Sequence, residues 1–293
     1  MKIGILGGSG LYEMDELTNV SNKVVRTPFG KPSDYFTCGR LDGHEVFFLP
    51  RHGRGHRIMP GEINYRANIL GFKMLGVERL LSVSAVGSLK AKLPPGTIVL
   101  PDQYYDRTKN SVQHTFFGNG VVAHVAFSHP TCAEFRNIIE ACARKAVKNL
   151  PRSRKVKIQN GGTYVNMEGP AFSTRAESQV NAKLGFDVIG MTSLAEAKLA
   201  REAGLCYQAM AMVTDYDCWH ENKHPVTVEM VIANLSANTG LARTIIRELV
   251  YTLGRTEKNC GCEDAMKHAI VTDRGMIPSG AKKALKFIIG KYL

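Results

Sequence analysis

No apolar run in this 293-residue chain approaches the roughly 18 residues that a membrane-spanning helix requires. The start, Met1 to Gly10, also lacks the basic region and long apolar stretch of a secretory leader, so a cytoplasmic protein without membrane contact is expected. Internal repeats, low-complexity tracts and a dividing linker are missing, and a single domain over 1–293 is the expected organisation. At 44% hydrophobic and 22% charged residues the composition is that of an ordinary globular protein, which excludes disordered and fibrous classes. The formal charge of +12 suits an anionic ligand. Lys and Arg are scattered, however, and the clusters at 152–155 and 282–283 lack the interleaved aromatics of a base-stacking platform, so no nucleic-acid partner is expected.

The seven cysteines are an odd count without a secretory signal, and free thiols are expected for most of them. Cys260-Gly261-Cys262 is too tight for the usual zinc-knuckle pair and has no second pair nearby in sequence. It reads as two thiols or a strained local disulfide with a structural or stress-related role; no metal is expected.

Apolar periodicity predicts a buried strand at 2–6, antiparallel strands near 24–27, 34–39 and 44–49 with Asp42-Gly43 as a tight hairpin, and a helix from Asn64 to Leu75. A strand over "ERLLSVSAVGSL" breaks at Gly87. A loop-rich stretch covers 101–128, followed by a helix from Pro130 to Lys148 and a strand from Lys155 to Gln159. "FDVIGM", "SLAEAKLARE" and "LCYQAMAMV" continue the alternation, and Val226 to Leu253 reads as a long amphipathic helix. The fold class is therefore α/β, a central mixed sheet flanked by helices.

Two motifs mislead. Gly4-x-x-Gly7-Gly8-Ser9-Gly10 follows a strand but has neither the third glycine nor the later acid of a dinucleotide fingerprint, nor the Lys-Ser/Thr of a P-loop. What remains is a tight turn whose amides and hydroxyl suit one anion. His220-Glu221-x-x-His224 has zinc-protease spacing, yet Pro225 pushes His224 out of helical angles, and no apolar helical lead-in precedes it. A zinc hydrolase at these residues is the alternative from a different class, and a noncatalytic binding protein is another.

Asp215 and Asp217 follow an apolar strand, at whose C-terminal end α/β proteins place ligands. A solvated acid pair is the plain reading in isolation; a buried pair instead holds one proton and can donate it. "RHGRGH" from Arg51 puts a planar guanidinium and a histidine after "VFFLP", a combination that fits an oxyanion.

With "IGILGGSGL", "TPFGKPSD", "SAVGSL", "PGTIVLPDQYYDRT", "MEGPAFSTRAES" and "MVTDYDCW" in the same order, the chain resembles the 5′-methylthioadenosine phosphorylases of the purine nucleoside phosphorylase superfamily. The resemblance is strongest over 1–250, with 251–293 a C-terminal helical extension carrying the CGC. It implies a single-domain purine nucleoside phosphorylase-like fold and phosphorolysis of methylthioadenosine to adenine and 5-methylthioribose 1-phosphate. No cofactor beyond the phosphate co-substrate is implied, and the assembly would be a homotrimer or hexamer. A phosphorylase preferring methylthioinosine, adenosine or inosine is the alternative within the class.

Residue by residue, the resemblance assigns phosphate to Ser9, Arg51, His52, Ser84, Ala85 and Thr192; Ser9 and Ser84 stand where threonine is common, and each keeps the hydroxyl. Met191 would lie under the ribose and Phe172 on the purine, with Ser173 and Tyr216 in the same substrate set. Asp215 would be the general acid toward N7 and Asp217 the acceptor of the 6-amino group. Val228, Val231 and Ile232 would wall the 5′-substituent, and His124 would come from a neighbouring subunit.

Overall fold

In the computed structural model, residues 9, 12, 13, 110, 152, 153 and 221–227 lie outside the described structure, as do the side chains of 111, 112, 228–233 and 235–237. The strands are β1 (Lys2–Gly7), β2 (Thr18–Lys23), β3 (Phe36–Leu41), β4 (His44–Pro50), β5 (Arg79–Ser88), β6 (Ile98–Leu100), β7 (Gln103–Asp106), β8 (Ile158–Asn160), β9 (Thr163–Asn166), β10 (Val188–Gly190) and β11 (Cys206–Asp215). Between and after them run α1 (Tyr65–Met74), α2 (Ala133–Lys148), α3 (Arg175–Lys183), α4 (Ser193–Glu202), α5 (Val228–Leu253) and the short α6 (Ser279–Ala284) and α7 (Lys286–Ile289).

The sheet is mixed, as expected. Its order is β2-β3-β4-β1-β5-β10-β9-β7, with β11 pairing β5 and β6. At its centre β4, β1, β5 and β11 are parallel neighbours, so their C-terminal ends open on one side. Strict alternation explains the layers. Ile3 and Ile5 of β1 face a cluster with Phe135 and Ile139 of α2 and Ile245 and Leu249 of α5. Leu6, Phe47 and Leu49 face the opposite layer, with Ile69 and Phe72 of α1 and Leu199 of α4. Each fully buried Phe or Leu of these strands contributes roughly 1.5–3 kcal/mol.

Local signals set most boundaries. Asn64 caps α1 through its side chain, accepting from the Ala67 N–H at 3.0 Å. Asp42 and Gly43 both take positive φ, +49° and +78°, which is the backbone of a two-residue primed hairpin turn between β3 and β4.

Several boundaries differ from expectation, and the strand read as breaking at Gly87 runs through it to Ser88. The strand foreseen at 24–27 lies at Thr18–Lys23; it is exposed along its whole length and is held by ladder bonds to β3, so it carries no burial pattern to read. The helix foreseen from Pro130 starts at Ala133, where Cys132 caps it. The strand foreseen at 155–159 is Ile158–Asn160, and β7 lies within the stretch read as loop. The C-terminal residues are built into the core: Met266, Ile277, Leu285, Ile288 and Ile289 are buried in the same cluster as α1 and α4.

Candidate active site

The parallel registry assembles the site. Gly7 pairs with Pro50 across β1 and β4, Leu6 pairs with Ser82 across β1 and β5, and Ser84 and Ala85 pair with Ala211 and Met212 of β11. Consequently the glycine turn after β1, Arg51 after β4, the Ser84-Ala85 segment and the acids ending β11 share one strand-end crevice, where open α/β sheets place ligands. Arg51 donates its backbone N–H to the Gly7 carbonyl at 2.9 Å, locking two of these pieces together.

A register shift between Val213 and Asp215 in the β11–β5 ladder re-aims the end of β11 and sets Asp215 opposite Gly87. A side chain there would be tight. A Cβ on residue 87 would lie 3.0 Å from Asp215 Oδ1 and 3.2 Å from Asp217 Cβ. Asp217 itself adopts φ +49°, and this left-handed step folds its carboxylate back beside that of Asp215.

Both acids are buried, at 7% and 8% exposure. Asp215 accepts from the Thr214 hydroxyl at 2.7 Å and the Asp217 N–H at 2.8 Å; Asp217 accepts from the Ser178 hydroxyl at 2.5 Å. Burial raises the Asp215 pKa, and the charge of Asp217 adds to that effect against the lowering by its hydrogen bonds. Burial likewise raises Asp217, opposed by hydrogen bonds from Ser178 and Ser173. A carboxylic acid poised to donate a proton arises in this way.

The anion end is built differently from the sequence expectation. Arg51 is 3% exposed and its fork faces Glu196, itself 0% exposed, through Nε and Nη2. Nη2 also donates to Ser82 Oγ at 2.7 Å, and Nη1 donates to the Val83 carbonyl at 3.2 Å. One N–H at Nε, two at Nη2 and one at Nη1 are thus engaged inside the chain, leaving one of the five for an anion. Burial works against the Arg51 charge, and Glu196 more than offsets it, leaving the pKa raised.

His52 places Nδ1 2.8 Å from the Ile58 carbonyl, so that nitrogen carries the proton. Burial and the Arg51 charge push the imidazole down to about 4, so at neutral pH its Nε2 accepts rather than donates until an anion restores the second proton. Ser84 Oγ and Tyr164 OH are both buried and lie within interaction range of each other, with no hydrogen bond of good geometry to any other group; Tyr164 OH also lies against Gly190. Buried hydroxyls paired this weakly are free to turn toward a polar ligand. Thr192 is 6% exposed at the N-cap position of α4, yet its hydroxyl does not cap the helix. Asn166 fixes this corner, donating to the Met191 carbonyl at 3.1 Å and accepting from the Leu194 N–H at 3.1 Å.

Met191 lines a small, partly open depression together with Tyr65, His114, Asn166 and Glu168. Its sulfur packs where a side chain on Gly169 would otherwise lie. Phe172 is 47% exposed, and Ser173 accepts a hydrogen bond at its carbonyl from the Cys218 thiol. Tyr216 turns aside, donating to the Ala91 carbonyl at 3.3 Å and packing near the His220 ring. His124 is exposed on a segment bonded to the Ala269 carbonyl. Ser9 lies outside the described residues, and Val228, Val231 and Ile232 are described only as backbone of the first turns of α5. His220 is extended, at φ −83° and ψ 112°, which is incompatible with a helical His-Glu-x-x-His; Glu221 and His224 lie outside the described residues.

The roles of Glu196, Ser82, Ser178 and Gly87 escaped the sequence reading. Glu196 was legible in principle: an acid flanked by Leu194, Ala195, Ala197 and Leu199 on a short helix has to be buried, and a buried acid requires a partner.

A family model described as "Phosphorylase superfamily" matches residues 2–250. The S-methyl-5′-thioadenosine phosphorylase of Geobacter sulfurreducens is 53% identical over 291 residues, covering 99% of each chain. That of Thermosynechococcus vestitus is 50% identical over 292 residues, covering 100% of this chain and 99% of the other. Among solved structures, a methylthioadenosine phosphorylase from an antarctic soil metagenomic library superposes with TM-score 0.91 at 43% identity, covering 98% of both chains. The Schistosoma mansoni methylthioadenosine phosphorylase in complex with adenine gives TM-score 0.81 at 37% identity over 88% of this chain and 93% of the other. With the strand-end crevice and its buried acid pair in place over the whole matched length, the chain belongs to the phosphorylase superfamily.

Proposed function

We propose that this enzyme cleaves 5′-methylthioadenosine with inorganic phosphate, releasing adenine and 5-methylthioribose 1-phosphate. The observation that carries the reading is the buried Asp215–Asp217 pair, with raised pKa values, at the mouth of the crevice that also holds the buried Ser84 hydroxyl. Adenine departs readily only if N7 is protonated as the glycosidic bond breaks, and Asp215 supplies that proton. Asp217, kept in place by Ser178, accepts from the 6-amino group.

Phosphate attacks C1′ from the opposite face as the ribose gains positive charge. Ser84, the Ala85 amide, Thr192, Ser9 and the remaining Arg51 N–H hold it, and His52 gains its second proton as the anion binds. Fixing the nucleophile within reach of C1′ lowers the barrier through proximity. Met191 lies beneath the ribose, Phe172 stacks on the base beside Ser173, and Val228, Val231 and Ile232 wall the methylthio group; Tyr216 contributes its backbone between the two acids. An apolar wall discriminates against an added hydroxyl by only about 100-fold, so adenosine is a slower substrate.

The exposed Phe172 and the exposed His124 suit an assembly in which a neighbouring copy covers the base and supplies His124, so a homotrimer or hexamer in the cytoplasm belongs to the same reading. Chromatographic comparison of methylthioadenosine, adenosine and methylthioinosine, each with and without phosphate, tests the reading. Adenine release that requires phosphate and is fastest from methylthioadenosine is expected; release undiminished without phosphate would contradict it.

A further inference from the structure

At the opposite end of β11 from the acid pair, four cysteines distant in sequence converge. The sulfurs of Cys132, Cys206, Cys260 and Cys262 all lie within 4.8 Å of one another, and all seven cysteines of the chain are free thiols. We propose that these four thiols form a structural tetrathiolate site for a zinc ion.

The second pair missing from the sequence around Cys260-Gly261-Cys262 is supplied by the fold. Tetrahedral zinc with Zn–S bonds of about 2.3 Å sets neighbouring sulfurs about 3.8 Å apart. The observed upper limit of 4.8 Å brackets that spacing, and the Cys206–Cys260 approach of 3.0 Å needs an opening of under about 1 Å to match it.

Each ligand sits on a part of the backbone that is already anchored. Cys206 opens β11 opposite Arg79 in the parallel ladder. Cys132 donates its backbone N–H to the Tyr207 carbonyl at 3.0 Å and caps α2, whose N-terminal dipole favours a thiolate. Cys260 and Cys262, two residues apart, straddle Gly261, and Cys262 opens a turn of 3-10 helix. Gly204, at φ +65°, lets the backbone of residue 263 approach: a Cβ there would meet the Glu263 carbonyl oxygen at 3.0 Å.

Three of the four cysteines are buried and one is half-buried, which shields the site while leaving an entry path. Four thiolates around a divalent ion carry two net negative charges, and Lys73 and Lys258 lie within electrostatic reach of the sulfurs. A fully protein-ligated ion has no position for substrate, and the ten-residue strand separates it from Asp215 by roughly 30 Å. Its role is to clamp the C-terminal segment onto α2 and β11, with the thiol protons released as the ion binds.

The test uses the full-length protein purified without chelator under reducing conditions. Elemental analysis is expected to find one zinc per chain, and Co²⁺ replacing it should give the thiolate charge-transfer and intense visible bands of a tetrahedral sulfur site. Cys260→Ser, at the most accessible ligand, should weaken Co²⁺ binding by more than about 100-fold, because even outer-shell partners cost 10–100-fold. Adenine release should persist in that variant. Wild-type protein with no stoichiometric metal and no cobalt–thiolate spectrum would overturn the proposal. So would unchanged Co²⁺ affinity in both Cys260→Ser and Cys262→Ser, or alkylation mass spectrometry showing a disulfide between any two of the four.

Discussion

Replacing Glu196 by alanine exposes the electrostatic design of the anion end. Glu196 and Arg51 are 0% and 3% exposed, and the carboxylate also accepts from the Ser82 hydroxyl at 2.6 Å and the Tyr207 hydroxyl at 3.0 Å. Removing one partner of such a buried pair leaves an uncompensated charge and costs about 3–5 kcal/mol. Total stability is of the order of 5–15 kcal/mol, so the loss is a large fraction of it. Glu196→Gln, which keeps an acceptor but no charge, is expected between wild type and alanine. The freed guanidinium then has more N–H groups for a dianion, so inorganic phosphate should restore part of the lost stability, and more of it than in wild type. Urea denaturation with and without phosphate measures both effects. A Glu196→Ala loss below about 1 kcal/mol, or phosphate stabilising both proteins equally, would refute the argument that this carboxylate holds Arg51.

Asp215→Asn should lower kcat by about 10²–10⁴-fold by removing the general acid, measured as steady-state adenine release. The same variant should be no less stable at neutral pH: the folded-state pKa of Asp215 is raised, so its ionised form disfavours the fold as pH climbs through that pKa, and the amide removes the penalty. Asp217→Asn should gain turnover of 6-oxopurine nucleosides, since an amide can donate to O6; unchanged preference for aminopurines would count against the base-reading role. Gly87→Ala, whose new methyl would press on both acids, should reduce kcat by on the order of 10²-fold while the KM for phosphate stays near wild type. Burial raises Glu202 from 4.5 to about 7, so the folded chain binds the extra proton and stability falls by about 3 kcal/mol between pH 4.5 and 7. Glu202→Gln should abolish that slope in pH-dependent melting.

Much of the architecture was written in local pattern. Short apolar runs announce β1 and β4, Asn64 opens α1, and Asp42-Gly43 announces the hairpin, because each signal acts through its own few residues. The ordered motifs from the glycine turn to Asp217 likewise named a site and a chemistry. An exposed edge such as β2 carries no such pattern, since its position is decided by ladder bonds to β3.

Tertiary structure alone decided what those motif residues do to one another. Arg51 read as an open fork for an anion, and proved to be turned onto Glu196, 145 residues away in the chain. The acid pair read as two carboxylates, and its raised pKa values arise only because a register shift, a left-handed Asp217 and the bare face of Gly87 bring both acids out of water. Cys260 and Cys262 read as an isolated pair until the start of β11 and the cap of α2 brought two more sulfurs beside them. Propensity, capping and alternation are short-range and therefore visible along the chain, whereas burial, charge pairing and sulfur clustering depend on which distant segments share a volume, and that is set only when the sheet closes its register.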